Sequence, residues 1–149
     1  MDLSTLYRAV IMDNYKNPKN KGLTKGDKYH FVHLNNPSCG DDMNVEILIE
    51  DGVVKDIHHD GHGCSICCSS ASVMSETLKG KNVEDAKKLI YEFYELVMGK
   101  APEDEEELGE AIAYMGVKDF PARIKCATLS WKAIEKAIEE VMEDGQKWC

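Results

Sequence analysis

The stretch MNVEILIEDGVVKDI, residues 43–57, sets the architecture of this chain. Met43, Val45, Ile47 and Ile49 alternate with Asn44, Glu46 and Glu50, the period of a strand with one buried face. Asp51-Gly52 is a hairpin dipeptide, because a tight two-residue turn needs residues that tolerate positive φ. Val53 to Ile57 is then the returning strand. A turn flanks the hairpin on each side. Asn36-Pro37-Ser38-Cys39-Gly40-Asp41 enters the first arm, and Gly61-His62-Gly63-Cys64 leaves the second. Antiparallel pairing therefore brings Cys39, Asp41 and Cys64 to one end of the sheet.

The remaining elements are mostly helical. Leu3, Leu6, Tyr7, Val10 and Ile11 recur at helical spacing, and Asn17-Pro18 ends that helix. Phe31, Val32 and Leu34 predict a short strand. Ser69 to Lys79 is a helix rich in small residues, closed by Gly80. Asn82 caps the next helix, whose stripe Ala86, Leu89, Ile90, Phe93 and Val97 ends at Gly99. A shorter helix is expected over Glu105 to Tyr114, a break at Phe120-Pro121, and a last helix from Ala127 to Met142. Strands early and helices late predict an α+β fold, one sheet with helices on one face.

At 149 residues the chain is expected to form one domain over 1–149. A net charge of -9 argues against a nucleic-acid partner, which requires a basic footprint. No apolar run approaches the length of a membrane span, about 20 residues. Met1-Asp2-Leu3-Ser4 shows no secretory pattern, so a cytoplasmic location is expected. In that reducing setting six cysteines read as metal ligands or reactive thiols rather than a disulfide frame. The lysines 16, 19, 21, 25 and 28 and the acidic run 103–107 are either solvated faces or docking surfaces for a charged partner.

Cys39, Asp41, Cys64 and Cys126, on three separate turns, are the donor set of a mononuclear metal site. Thiolate sulfur suits zinc, copper(I) or iron–sulfur centres, and tetrahedral zinc accepts mixed sulfur and oxygen. Asp41 is the harder and more exchangeable ligand. Cys64 and Cys126 are both expected just ahead of helices, where the dipole lowers a thiol's pKa. Purely structural zinc is a blander reading. Cys64-Ser65-Ile66-Cys67 at a helix start also reads as a thiol–disulfide pair, against which Cys67 and Cys68 read as small buried side chains. His58, His59 and His62 offer a spare ligand or are solvated positions, and Cys149 is a chain-terminal thiol.

Cys-Gly-Asp at 39–41, Gly-x-Gly-Cys at 61–64 before a Ser/Ala-rich helix, and Lys-Cys at 125–126 resemble the IscU/NifU-type iron–sulfur cluster assembly proteins. Tyr7 to Asp13 with Tyr15-Lys16-Asn17-Pro18, the run from Phe120 to Ala133, and the long insertion between Cys64 and Cys126 are similar to the SufU branch. The resemblance implies a three-stranded antiparallel sheet with helices. It also implies zinc held by Cys39, Asp41, Cys64 and Cys126. The implied partner is a PLP-dependent cysteine desulfurase of the SufS kind, with Cys39 accepting persulfide sulfur and passing it to the cluster assembly machinery. The implied alternative is a scaffold building a transient iron–sulfur cluster on the three cysteines. Scaffold members carry histidine where this chain has Lys125, and a protonated amine cannot ligate metal, which favours the zinc-held carrier. Arg123 is expected to steady the site or anchor the desulfurase, or else to be an ordinary surface arginine. Cys67 and Cys68 replace the non-thiol residues expected there, and His59 replaces an aromatic.

Overall fold

The alternating hairpin forms as its pattern requires. The computed structural model describes residues 3–147, so Cys149 lies outside the described residues. Strands β1 (His30–Asn36), β2 (Asp41–Glu50) and β3 (Val53–His62) pair antiparallel in that order. Glu50 faces Val53 across Asp51-Gly52, whose φ values of 53° and 73° are left-handed. β3 runs on past Ile57, because His58, His59, Asp60, Gly61 and His62 all pair with β2. Their polarity reads as a turn, yet ladder hydrogen bonds belong to the backbone and do not require apolar side chains. Asn36 faces Asp41 and Asp42 faces His62, so both turns meet at one end of the sheet.

The helices are α1 (Leu3–Lys16), α2 (Ser65–Leu78), α3 (Val83–Val97), α4 (Glu105–Leu108) and α5 (Pro121–Lys147), with a 3₁₀ segment over Gly109–Asp119. α2 and α5 lie on the sheet, over a core containing Val32, Met43, Val45, Ile47 and Ile57. α1, α3 and the 3₁₀ segment pack outside them. The fold is thus the expected α+β arrangement, a three-stranded antiparallel sheet with helices on one face and a helical insertion between Cys64 and Cys126. The other sheet face is mostly polar, with Phe31 exposed beside Glu46. There the Glu46 carboxylate accepts the Thr24 and Lys25 N–H groups, and Asp56 binds Tyr29, His58 and Lys79, which pins the loop before β1. No helix among the described residues is long and apolar enough to cross a membrane.

α2 is the centre of the packing, and its composition explains how. Nine of its fourteen residues are buried, among them Ser69, Ser70, Ala71, Ser72 and Ser75. Small side chains let neighbouring elements approach closely, but each buried hydroxyl then needs a partner. Ser70 donates to the Ala127 carbonyl at 2.6 Å and accepts from Trp131 Nε1 at 2.9 Å. Ser69 accepts from the Tyr114 hydroxyl at 2.7 Å, and Ser72 donates to Asn14 Oδ1 at 2.8 Å. Trp131 in turn stacks on Phe93, ring centroids 4.0 Å apart and 6° from parallel.

Several helix boundaries differ from expectation: α2 begins at Ser65 rather than Ser69, and α5 runs on to Lys147 rather than Met142. α5 begins at Pro121 rather than Ala127, because proline fits the first turn of a helix, where its missing N–H has no partner to lose. Phe120-Pro121 therefore starts the helix and does not merely break the chain. The helix expected over Glu105 to Tyr114 stops after one turn at Gly109, whose φ is 54°, and continues as the 3₁₀ segment.

Candidate metal centre

Three elements deliver the thiols. In the β1–β2 turn the Asn36 carbonyl accepts the N–H groups of Cys39 and Gly40, at 3.2 and 2.9 Å. Gly40, at φ 72°, lets the chain reverse there, leaving Cys39 exposed at the tip and Asp41 buried at the first position of β2. At the far end of β3, Cys64 is the N-cap of α2 and its N–H donates to Asp41 Oδ1 at 3.0 Å. Cys126 comes from the second turn of α5, wholly buried, its thiol 3.5 Å from the Ala122 carbonyl.

The two glycines of Gly61-His62-Gly63 are required by contact. A Cβ on Gly61 would strike the Asp42 carbonyl oxygen, and one on Gly63 would strike the Asp41 carboxylate. The motif is legible in the sequence, but this reason for it is not. Asn36 as the acceptor that shapes the Cys39 turn was also missed, though an Asn-Pro pair ahead of Cys-Gly is a turn signal.

The Cys39 and Cys126 sulfurs and an Asp41 oxygen all lie within 4.8 Å of one another. The Cys64 thiol is outside that tightest group but adjoins it, close enough to act on Cys126 and on the Arg123 guanidinium. Burial pushes the Cys126 thiol well above its ordinary pKa, with Asp41 and the neighbouring thiols adding to the effect. The helix-dipole expectation is corrected for Cys126, since a residue inside the second turn of α5 does not sit at its start. Asp41 Oδ2 is buried and has no hydrogen-bond partner. A carboxylate oxygen left so costs about 1–3 kcal/mol. A divalent cation bound here would ionise the thiols around it and give that oxygen a partner. Three sulfurs and one carboxylate oxygen fit tetrahedral zinc.

The other singled-out residues stand elsewhere. Arg123 is exposed, with its charge held chiefly by Cys64 and then Cys126. Lys125 is exposed on α5. Cys67 is 0% exposed and belongs to the core, its thiol raised by burial, while Cys68 is half-buried. His58 binds Asp56 at 2.8 Å, and the buried His59 lies 2.7 Å from the Lys19 carbonyl, so both are committed to holding loops. Beside Cys64 runs an open groove of about 650 Å³ lined by Tyr7, Ile11, Ile66, Val117 and Phe120. Its two charged residues are Arg8 and Arg123, in a chain of net charge -9.

Comparison with known proteins adds ancestry to this geometry. The chain is 47% identical over 144 residues to the zinc-dependent sulfurtransferase SufU of Bacillus subtilis, covering 97% of this chain and 95% of that protein. It is 40% identical to the iron–sulfur cluster assembly scaffold protein IscU of Streptococcus pyogenes, covering 92% of this chain and 85% of the other. The crystal structure of a nitrogen-fixing NifU-like protein (N-terminal) from Brucella abortus shares the fold, with a TM-score of 0.82 over 95% of this chain and 97% of that one at 22% identity. The family model for the NifU-like N terminal domain matches residues 6–127, the span that carries all three turns, and the chain belongs to that family.

Proposed function

We propose that this protein is a zinc-holding sulfur acceptor for iron–sulfur cluster assembly, working with a PLP-dependent cysteine desulfurase. Cys39, Asp41, Cys64 and Cys126 would hold the zinc, which when bound keeps the thiols deprotonated. One observation carries the reading: Cys39 is exposed at a turn tip, whereas Asp41 and Cys126 are buried and Cys64 half-buried. Cys39 is thus the donor a partner reaches first. Its thiolate attacks the outer sulfur of the desulfurase persulfide, the S–S bond breaks, and the electron pair leaves on the desulfurase cysteine. Cys39 then carries the persulfide onward to the cluster assembly machinery.

The apolar groove beside Cys64 supports desulfurase docking, and its arginines suit an acidic rim on the partner. A cytoplasmic setting belongs to the same reading, because free thiols persist there. The name of the IscU relative favours a second reading, a scaffold for a transient cluster. That version requires iron and visible charge-transfer colour, and Lys125 supplies no ligand to it.

The test is desulfurase turnover with and without the zinc-loaded protein. The parent is expected to raise turnover, and Cys39→Ser to abolish the rise. Equal stimulation by Cys39→Ser would remove Cys39 from the acceptor role. Purified protein rich in iron would favour the scaffold.

A further inference from the structure

Cys68 has no part in the proposed donor set, yet it lies one helical turn from Cys64. Its N–H donates to the Cys64 carbonyl at 3.1 Å, and its thiol folds back to 3.8 Å from the Gly63 carbonyl. Helical side chains lean toward the N-terminus, so this thiol lies over the turn that carries Cys64. Cβ atoms four residues apart on a helix are separated by about 5–6 Å. A disulfide needs about 3.5–4.5 Å. Cys64 closes that gap by turning its thiol from Cys126 and Arg123, and as an N-cap in extended geometry (φ -71°, ψ 166°) it has no side-chain cap bond to lose. Cys67 is closer in sequence but 0% exposed and packed in the core. Cys68 instead lines an open cavity of about 230 Å³ with Lys21, His62 and Gly63, roomy enough for a small oxidant.

We propose that Cys64 and Cys68 form a peroxide-oxidisable pair, an inference that rests on Cys64 being one of the zinc donors for its effect on metal. The Cys64 sulfur attacks one peroxide oxygen, the O–O bond breaks, and water leaves with the second oxygen, giving a sulfenic acid. The Cys68 thiol then attacks that sulfur, forming the S–S bond and releasing a second water. Two electrons pass from the two sulfurs to the peroxide. The disulfide withdraws one of four donors, so zinc is released, and a thiol reductant restores both thiols and zinc binding. Without Cys68, oxidation of Cys64 proceeds to the sulfinic acid, which a thiol reductant does not reverse.

The experiment treats zinc-loaded protein with hydrogen peroxide, follows zinc with a chromophoric chelator, and maps cysteine linkages by mass spectrometry. The parent should show a Cys64–Cys68 link and zinc loss that dithiothreitol and added zinc reverse. Cys68→Ser and Cys68→Ala, at a half-buried position, should hold zinc like the parent before treatment, lose the link, and fail to recover zinc afterwards. A link from Cys64 to Cys39, Cys67 or Cys126, no link at all, or full recovery in both variants would overturn the pairing. Untreated parent without zinc would instead overturn the metal reading beneath it, and the linkage map still decides the pairing.

Discussion

Gly63→Ala is expected to lose zinc while keeping its fold. The added methyl group would occupy the space of the Asp41 carboxylate, with the Asp41 Cα itself 3.1 Å away. The carboxylate cannot swing aside cheaply. It is buried, and its Oδ1 already accepts the Cys64 N–H at 3.0 Å. Moving it disturbs two of the proposed donors together, the aspartate and the N-cap cysteine of α2. Changes to groups that orient metal ligands typically cost about 10–100-fold in metal affinity. Competition against a coloured chelator should therefore show zinc held at least about tenfold more weakly. Far-UV circular dichroism should be nearly unchanged, since the β2–β3 ladder and the body of α2 are held by contacts away from that end. Parent-like zinc retention would mean that Asp41 does not belong to the donor set.

Trp131→Ala is expected to have the largest effect on stability. Trp131 is wholly buried on α5, stacked on Phe93 and bonded to Ser70 of α2. Its removal opens a cavity where α2, α3 and α5 meet, at a cost of about 3–5 kcal/mol. For a chain of this size that lowers the thermal midpoint by roughly 10 °C. Trp131→Phe keeps a ring against Phe93 and forfeits the hydrogen bond to Ser70, so it should lose about 1–2 kcal/mol. Because α5 also carries Cys126, Trp131→Ala should loosen zinc as a secondary effect. A fall in midpoint no larger than that of Trp131→Phe would show that the stacked ring carries little of the stability.

These two residues mark where sequence was informative and where it was not. The hairpin was legible because its determinants are local: alternation in 43–49, a turn dipeptide at 51–52, and the return at 53–57. Its register alone brought Cys39, Asp41 and Cys64 to one end of the sheet. The role of Gly63 was hidden because the atom it must avoid is a side chain 22 positions earlier, brought near only by pairing. The serines of α2 look like surface residues, and their burial depends on Asn14, Tyr114, Ala127 and Trp131, all distant in sequence. Proline can stop a helix or start one, and the structure uses Pro121 at the start. The burial of Cys126 followed from that start. Polar His58 to His62 hid five residues of β3, because side-chain pattern reports burial rather than backbone pairing.

The most direct test of the metal centre is X-ray absorption at the zinc edge of the purified protein. Cys39, Asp41, Cys64 and Cys126 predict three sulfur neighbours at about 2.3 Å and one oxygen at about 2.0–2.2 Å. Four sulfurs, an imidazole in the shell, or protein that binds no zinc would contradict that donor set.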